Sequence, residues 1–221
     1  MAILAAYNLE DSIAGIIKRT YGFVDRVIVV ADGSSDNTAK KARESDAITP
    51  EPTMKRGKGY AVIKGIQASK EYLPDVIILM DADGQHLPEE IPNLVKPIIE
   101  EDVDMVVGSR MMGELRTSFV NRVGNMVLKV ISFLVTGKRM SDTESGFRAF
   151  KANKLYGLRL ASTGYEIESE LLLRALKNKL KVREIPITVP YAKPGVTIKD
   201  GIKNGWYKIH KGLQIRFGIE K

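Results

Sequence analysis

The 221-residue sequence contains no cysteine and only two histidines, His86 and His210. Without cysteine the chain has neither a disulfide framework nor a thiolate metal site, and two histidines alone argue against a zinc centre. A Ser-His-Asp triad would have to use His86, and no nucleophile-elbow sequence accompanies it. These absences move the search for a functional site to carboxylates and cationic side chains.

Long apolar runs are absent as well. The longest candidate, Met126 to Val135, has ten residues and contains Lys129, whereas a membrane-spanning helix needs about 18 or more. No basic region precedes the apolar N-terminus, which argues against a secretory signal. From these features we expect a cytoplasmic protein, with contact at the inner face of the cell membrane left open.

The charge is unbalanced, because 34 Lys and Arg against 27 Asp and Glu give a net charge of +7. A basic chain indicates an anionic partner, and a nucleotide, a phospholipid surface and a nucleic acid are all compatible with it. The length and the 44% hydrophobic content are typical of one ordinary globular domain. The composition predicts no oligomeric state.

Short apolar runs alternate with amphipathic segments in the first half of the chain. The predicted strands are Met1–Ala6, Arg26–Ala31, Val76–Met80 and Asp104–Gly108. The predicted helices are Glu10–Tyr21, Asn37–Ser45 with Asp36 as N-cap, about Lys55–Leu73, and Pro88–Glu101. Short β-branched runs predict buried strands, and this alternation predicts an α/β fold with a parallel sheet and right-handed crossovers.

The second half is less regular. We predict a helix over Thr117–Thr136, a short strand after the polar loop that ends at Arg148, a helix over Tyr165–Lys177, and a strand over Val182–Tyr191. The last is assigned to a sheet edge because it contains Pro186 and Pro190. The C-terminal residues 199–221 form a basic segment with apolar residues along one helical face: Ile202, Trp206, Ile209 and Leu213.

The third predicted strand is followed at once by Asp81, Asp83, Gln85 and His86. In open α/β sheets the ligand crevice lies outside the carboxyl ends of the strands. Asp81 and Asp83 lie on one side of an extended tripeptide, with Ala82 turned away, and magnesium takes one or two carboxylates plus substrate phosphates. The segment predicts a divalent-cation site; a polar turn that caps the next helix is the alternative.

Two further segments indicate a nucleotide site. Asp32 ends the second strand and is able to accept hydrogen bonds from a nucleobase or a ribose, or it is a turn residue before Gly33. The run from Lys55 to Gly59 opens a helix, where backbone N–H groups, the dipole and ammonium charges favour an anion; a solvated basic turn is the alternative. Neither a Walker A spacing nor a Gly-x-Gly-x-x-Gly after the first strand is present.

Arginines follow in polar contexts: Arg110 directly after the fourth strand, then Arg116, Arg122 and Arg148. Arginine suits bidentate phosphate recognition, although each of these residues alone is compatible with an ordinary surface position. The ordered segments Ala6–Glu10, Val30–Thr38, Gly57–Gly59, Asp81–His86, Gly108–Arg110, Ser145–Arg148 and Gly164–Glu168 resemble family 2 inverting glycosyltransferases of the GT-A fold. They are most similar to dolichol-phosphate mannosyltransferases and polyprenyl-phosphate sugar transferases.

The resemblance implies one GT-A domain over residues 1–221, with a Rossmann-like nucleotide-sugar half (1–110), a mixed acceptor half (111–198) and the basic C-terminal helix (199–221). It implies transfer of a sugar from a UDP- or GDP-linked donor to a polyprenyl or dolichyl phosphate. The implied donor-binding residues are Ala5, Tyr7, Asn8, Glu10, Asp32, Lys58, Asp81 and Ala82. The implied ligands of Mg²⁺ or Mn²⁺ are Asp81, Asp83 and Gln85. The implied acceptor-phosphate residues are Arg110, Arg122 and Arg148, and Asp83, Arg110, Asp142 and Arg148 are the expected catalytic residues.

Two departures from the family pattern stand out. Ala31 replaces the first residue of the usual Asp-Asp-Gly-Ser, and the chain lacks the C-terminal transmembrane helices of many relatives. The C-terminal helix is expected either to lie on an anionic membrane surface or to pack on the domain's own core. One rival hypothesis is a GT-A enzyme with a soluble hydroxyl acceptor, for which Asp142, Glu144 or Glu168 would be the base. The others are a sugar-phosphate nucleotidyltransferase and a nucleic-acid module. We expect no nucleic acid as a partner.

Overall fold

The computed structural model describes residues 1–50, 54–112 and 140–190. In these ranges six strands form one sheet in the order β2-β1-β3-β5-β4-β6. The strands are β1 (Ala2–Ala6), β2 (Val27–Ala31), β3 (Val76–Asp81), β4 (Met105–Ser109), β5 (Arg148–Lys151) and β6 (Val182–Pro186). Only β5 runs antiparallel to its neighbours, β3 and β4. The predicted α/β fold with a mostly parallel sheet is confirmed.

Helices cover both faces of this sheet. They are α1 (Ile13–Thr20), α2 (Thr38–Glu44), α3 (Lys58–Ser69), α4 (Ile91–Glu100), α5 (Ala152–Tyr156) and α6 (Ile167–Lys177). Short 3-10 turns follow α3 at Lys70–Tyr72 and precede α4 at Pro88–Glu90. Within the described ranges no helix is long and apolar enough to cross a membrane.

The core lies in two layers, one on each face of the sheet. On one face, α1 and α4 pack Ile13, Ile17 and Leu94 against the sheet. On the other face, α3 and α6 contribute Ile66 and Leu171. The apolar spacing of each helix therefore predicts its buried face. The continuous apolar runs of β1 to β4 are explained by the same arrangement, because strands covered on both faces have no polar side.

The observed elements are shorter than predicted at several ends. Helix α2 is capped at Asn37 rather than at the predicted Asp36, although the Asp36 carboxylate still accepts the Thr38 amide at 3.0 Å. The predicted edge strand does lie at the sheet edge, but it ends at Pro186, so Pro190 is outside it. The predicted helices over 117–136 and 199–221, together with Arg116 and Arg122, lie outside the described residues.

The antiparallel strand β5 separates β3 from β4, a feature that the alternation of strands and helices does not predict. Ile78 of β3 pairs with Ala149, and Ala149 pairs with Val106 of β4. The loop before β5 is consequently inserted between the carboxyl ends of β3 and β4. This insertion brings the Ser145–Arg148 segment into the crevice at that edge of the sheet.

Candidate active site

The carboxyl ends of β1, β2 and β3 meet at one edge of the sheet, and the sequence-predicted polar residues lie there. Ala5 of β1 pairs in register with Asp81 of β3 and with Val30 of β2. Asp32 follows β2 directly, and Arg110 follows β4. Because ligands of open α/β sheets bind at this edge, near the point where the strand order reverses, these residues define the candidate site.

A largely buried ammonium joins two carboxylates at the centre of the site. Lys58, the first residue of α3, lies 2.7 Å from Asp81 Oδ1 and 2.5 Å from Glu168 Oε1 on α6. Its side chain is 17% exposed, that of Asp81 29% and that of Glu168 5%. The second Glu168 oxygen, Oε2, is buried with no hydrogen-bond partner among the described residues. The structure thus brings together Lys58 and Asp81, both implied donor-binding residues, and Glu168 joins them.

The charges of this cluster shift its protonation equilibria. Burial alone would lower the pKa of the Lys58 ammonium, but Asp81 and Glu168 raise it above its ordinary value. Burial opposes ionisation of Asp81, yet the Lys58 ammonium holds the pKa of that carboxyl below its usual range. For Glu168 burial prevails and raises the pKa. A cationic Lys58 and an ionised Asp81 are therefore the stable forms at neutral pH.

Gly146 explains how the 142–147 loop reaches this cluster. A Cβ at this position would lie 2.7 Å from Asp81 Oδ2 and 3.0 Å from Lys58 Nζ, closer than carbon normally approaches either atom. The next residue, Phe147, is buried and stacks on the His86 ring with centroids 5.0 Å apart. His86 Nδ1 accepts the amide N–H of Asp81 at 3.0 Å, and burial lowers the pKa of His86 to about 4. His86 is therefore a neutral support for the Asp81 backbone.

The remainder of the predicted cation loop is close to Asp81. Ala82 is 1% exposed and faces the core, as its position between two carboxylates predicts. Asp83 Oδ1 accepts the amide of Gln85 at 3.1 Å, which closes a tight turn. In the described part of the chain, no group of three or more acidic, histidine or cysteine side chains is arranged so that it could hold a metal ion by itself. The donor types in this loop are hard oxygens of two carboxylates and one amide, which are the ligand types that Mg²⁺ and Mn²⁺ accept. Both Asp81 oxygens also contact the Lys58 ammonium, at 2.7 and 2.9 Å.

Asp32, predicted either to contact a nucleobase or ribose or to be a turn residue, binds the protein backbone in the structure. Its side chain is buried, and its carboxylate accepts the amides of Arg56 at 3.0 and 3.1 Å and of Gly57 at 2.6 Å. Gly57 has a φ of +110°, a conformation that favours glycine. The Tyr60 amide binds the Thr163 carbonyl at 3.2 Å. Several backbone N–H groups of the predicted anion site therefore already have acceptors within the protein, and the Asp32 carboxylate holds the N-terminus of α3 in place.

The loop after β1 is tied to the loop after β2. Asn8 adopts a left-handed φ of 51°, and its Oδ1 accepts the Ser35 amide at 2.9 Å. Glu10 Oε2 accepts both the amide and the side-chain N–H of Asn37 at 3.0 and 2.9 Å. Tyr7 is 44% exposed, with Lys55 Nζ 3.6 Å from its ring centroid. Tyr7 is thus accessible at the predicted nucleotide site, whereas Asn8 and Glu10 hold the two loops together.

Arg110 and Asp142 form a partly buried pair on the β4 side of the site. Arg110 donates to the two Asp142 oxygens through Nε at 2.7 Å and Nη2 at 2.9 Å, and its backbone N–H donates to the same carboxylate at 3.1 Å. Burial disfavours both charges, but each partner overcomes it, so that the pKa of Arg110 is raised and that of Asp142 is lowered. Nη1 takes no part in this contact, and 28% of the Arg110 side chain is exposed.

Arg148 does not lie where an acceptor phosphate would reach it. It is 1% exposed and donates to the carbonyls of Ser145 at 2.7 Å, Glu168 at 2.6 Å and Thr143 at 2.9 Å. Since these donors are engaged and buried, the expectation that Arg148 binds phosphate does not fit the structure. Its guanidinium instead ties the loop before β5 to helix α6. The sequence alone does not distinguish an arginine that binds a ligand from one that is buried against backbone carbonyls.

Two contributors to the site carry no recognisable signal in the sequence. Gly146 belongs to the Ser-Gly-Phe-Arg segment of the resemblance, but its requirement for space follows from the approach of Asp81, which is far from it in the chain. Glu184 has the pattern of an ordinary edge-strand residue, yet its carboxylate binds the backbone of Ser141 and Asp142. No local pattern distinguishes this glutamate, because its partners lie more than 40 positions away in sequence.

Comparison with known proteins gives concordant matches. The sequence model described as "Glycosyl transferase family 2" matches residues 2–158. The chain is 32% identical over 239 residues to the UDP-N-acetylglucosamine–dolichyl-phosphate N-acetylglucosaminyltransferase of Methanococcus voltae, covering 98% of this chain and 95% of that protein. It is 29% identical to the polyprenol monophosphomannose synthase of Mycolicibacterium smegmatis, covering 95% and 84% respectively.

A solved structure shows the same fold. Glucosyl-3-phosphoglycerate synthase from Mycobacterium tuberculosis, in complex with Mn²⁺, UDP-glucose and phosphoglyceric acid, superposes with a TM-score of 0.77. The alignment covers 100% of this chain and 80% of that one, at 23% identity. At this level of identity the likeness shows the fold, and the predicted GT-A architecture is thereby confirmed.

Proposed function

The chain belongs to glycosyl transferase family 2, and from this premise we propose that it transfers a sugar from a nucleoside diphosphate sugar to a polyprenyl phosphate, with inversion at the anomeric carbon. The observation that carries the proposal is the arrangement at the sheet edge. The Asp81–Lys58–Glu168 cluster lies at the end of β3, and the Arg110–Asp142 pair lies at the end of β4. Carboxylates that suit a cation and a guanidinium that suits a phosphate thus lie at the same edge of the sheet.

The donor side is assigned to the loops after β1, β2 and β3. Tyr7 and the residues fixed by Asp32 form the wall of the nucleotide pocket, with Ala5, Asn8 and Glu10 behind it. Asp81 and Asp83, with Gln85 close by, would hold Mg²⁺ or Mn²⁺, and a bound cation there would neutralise negative charge on the leaving diphosphate. Mg²⁺ commonly combines one or two protein carboxylates with substrate phosphates, which fits these donors.

The acceptor side is assigned to Arg110. Its planar guanidinium is oriented by Asp142 through two hydrogen bonds, and a planar fork of this kind matches the geometry of a phosphate. Arg122 is retained as an acceptor-binding residue on the sequence resemblance alone. The names of the Methanococcus voltae and Mycolicibacterium smegmatis relatives, which state lipid-phosphate acceptors or products, support the same assignment.

The chemistry requires little proton transfer. A phosphate monoester has a second pKa near 6, so a polyprenyl phosphate is largely dianionic at pH 7. Its oxygen forms a bond to the anomeric carbon as the bond from that carbon to the diphosphate oxygen breaks, and the bonding electrons leave with the nucleoside diphosphate. Lys58, held between two carboxylates, supplies a fixed positive charge near the leaving group without reorganisation.

A transfer assay tests this proposal. The protein is incubated with Mg²⁺ or Mn²⁺, a short polyprenyl phosphate and a panel of radiolabelled UDP- and GDP-sugars, and the lipid phase is extracted. We expect label in the lipid phase from one donor. Asp83→Ala should lose metal-dependent turnover and still fold, whereas Lys96→Ala, in an exposed ion pair on α4, should be fully active. No label from any donor would overturn the proposal.

A soluble hydroxyl acceptor is the second candidate, because Glu168 has the properties of a general base. Its pKa is raised by burial, and its Oε2 has no hydrogen-bond partner within the described ranges. A hydroxyl acceptor, unlike a phosphate, needs a base to remove its proton. This candidate predicts turnover with a water-soluble sugar or glycerate and none with the polyprenyl phosphate. It also predicts that Glu168→Gln abolishes turnover while nucleotide binding persists.

Contact with a membrane surface is proposed for the C-terminal segment, residues 199–221, on its sequence alone. Basic residues flank an apolar set that contains Trp206, a pattern typical of helices that lie in the headgroup layer. Removal of the residues after Pro194 should abolish binding to anionic vesicles and leave nucleotide binding intact. Vesicle binding that survives the truncation would contradict the proposal and favour packing of this segment on the core.

A further inference from the structure

The carboxylate of Glu184 binds a turn that is distant from it in the chain. Glu184 lies on β6 in register with Val107 of β4. Its Oε1 accepts the amide of Ser141 at 2.9 Å, the Ser141 hydroxyl at 2.9 Å and the amide of Asp142 at 2.8 Å. Its Oε2 accepts the Ser141 amide at 2.7 Å. One carboxylate therefore fixes the backbone of two consecutive residues.

The fixed turn in turn holds Arg110. Both oxygens of Asp142 accept hydrogen bonds from the guanidinium, and one also accepts the Arg110 backbone N–H. The hydroxyl of Ser141 lies 2.5 Å from that of Ser109, the last residue of β4. The end of β4, the 141–142 turn and strand β6 are therefore linked by one continuous hydrogen-bond network. In this network Glu184 is joined to Arg110 through the 141–142 turn.

We propose that Glu184 is a positioning residue: it fixes Asp142, and through Asp142 the guanidinium of Arg110, in the orientation that binds the acceptor phosphate. The inference rests on the proposed function for the role of Arg110. Hydrogen bonds from backbone N–H groups to a carboxylate are charge-assisted and short. Replacing the carboxylate with a neutral amide weakens all four contacts and presents an N–H₂ group to amides that can only donate. The backbone of Asp142 is then no longer fixed, and its carboxylate can move away from the Arg110 guanidinium.

Kinetics with Glu184→Gln test the proposal. We expect the KM for the acceptor to rise roughly 10–100-fold, because a displacement of about 1 Å at a binding group has effects of that size, while the KM for the nucleotide sugar stays unchanged. Glu101→Gln is the matched control, since Glu101 pairs at the surface with Arg183, the residue that directly precedes Glu184. In an Arg110→Gln background, Glu184→Gln should cause no further loss, because the two changes act through the same group.

A second measurement does not depend on turnover. In protein labelled with ¹⁵N-arginine, the Nε–H resonance of Arg110 is identified by its absence in Arg110→Lys. We expect it to be protected from solvent exchange in the wild type and in Glu101→Gln, and exchange-broadened in Glu184→Gln. If Glu184→Gln does not fold, Ser141→Ala, which removes one bond to Glu184 and the contact with Ser109, is expected to give partial broadening.

An unchanged Arg110 resonance in the folded variants overturns the inference, as does an unchanged acceptor KM in Glu184→Gln. An equal rise of both KM values also overturns it, because that result indicates a general structural defect. Failure of the wild type to transfer sugar to any polyprenyl phosphate is a different outcome. It contradicts the proposed function, while the resonance comparison still decides whether Glu184 positions Arg110.

Discussion

Replacement of Arg148 by methionine should destabilise the whole protein rather than weaken acceptor binding alone. The guanidinium is 1% exposed and donates to three carbonyls at 2.6 to 2.9 Å. Methionine retains an unbranched apolar stem but removes the guanidinium and with it every donor. Each buried carbonyl left without a partner costs about 1–3 kcal/mol. Such costs are not additive within one network, and loss of one partner from a buried charged network typically costs about 3–5 kcal/mol in total.

Thermal unfolding measures this effect. For a chain of this size each kcal/mol lowers Tm by about 2–4 °C, so Arg148→Met should melt roughly 6–20 °C below the wild type. Arg148→Lys should fall between the two, because one ammonium cannot reach three divergent carbonyls. Arg183→Met is the control: the Arg183 side chain is 46% exposed and pairs with Glu101 at the surface, and such pairs contribute about 0–1 kcal/mol.

The result that would refute this reasoning is specific. If Arg148→Met melts with the wild type and instead raises the KM for the acceptor, the guanidinium binds the acceptor phosphate, as the sequence resemblance implies. A large fall in Tm with little change in the KM of the remaining folded protein supports the structural role. The two outcomes separate because one changes the free energy of unfolding and the other changes only a binding step.

Two further perturbations test the centre of the site. Gly146→Ala introduces a Cβ 2.7 Å from Asp81 Oδ2; it should destabilise the protein by about 1–3 kcal/mol, the usual cost of overpacking, and abolish metal-dependent nucleotide binding. The control Gly15→Ala, in an open position on α1, should stabilise the protein by about 0.5–1 kcal/mol. An equal change of stability in the two variants would contradict the packing account. Lowering the pH from 7.5 to 4.5 should reduce the free energy of unfolding of the wild type by about 2–3 kcal/mol through protonation of His86 in the unfolded chain. Urea denaturation in EDTA measures this loss, and the His86→Gln variant should lose less stability over the same pH range.

The sign of the pH effect follows from proton uptake. The pKa of His86 falls from 6.5 to about 4 on burial. Between these two pH values the unfolded chain binds a proton that the folded chain does not, so the free energy of unfolding decreases as the pH is lowered. Glu168 acts in the opposite direction, since its raised pKa makes the folded state the better proton acceptor above pH 4.5. This contribution is shared by wild type and His86→Gln. Identical pH slopes in the two proteins would therefore contradict the assignment to His86.

Local patterns are sufficient to predict the first four strands and which residues lie at the carboxyl edge of the sheet. Buried parallel strands appear in a sequence as short β-branched runs, and the residues after such strands meet at one edge of the sheet. For that reason the positions of Asp32, Asp81 and Arg110 at one edge follow from the strand pattern alone. The placement of Ala82 in the core follows from the same reasoning, because adjacent side chains of an extended segment point to opposite sides.

The position of β5 is not predictable in the same way. Its residues have the pattern of a short strand after a polar loop, but the choice of partners depends on contacts with β3 and β4, whose paired residues are 69–75 and 41–45 positions away in sequence. A hydrophobic pattern indicates that a strand is buried and contains no information about its neighbours. The entry of the Ser145–Arg148 segment into the crevice, and hence the closeness of Gly146 to Asp81, depends on that pairing.

The roles of polar residues are the least predictable, because a charged side chain is used differently according to what lies opposite it. Arg110 and Arg148 occur in polar segments of similar character, yet one is partly exposed beside a carboxylate and the other is enclosed by carbonyls. The resemblance implies that Asp32 contacts a nucleobase, whereas its carboxylate binds backbone amides of the 56–57 segment. The partners of Arg110 and Asp32 lie 20 or more positions away in sequence, and so does one of the three carbonyls around Arg148, that of Glu168.

The mass of the lipid product tests the central claim most directly. Wild-type protein is incubated with the preferred nucleotide sugar, the divalent cation and a polyprenyl phosphate of defined length, and the extracted lipid is analysed by mass spectrometry. The account predicts a mass increase equal to one sugar residue with no additional phosphate, together with release of a nucleoside diphosphate. An increase of one sugar phosphate with release of a nucleoside monophosphate, or an unmodified lipid, would contradict it.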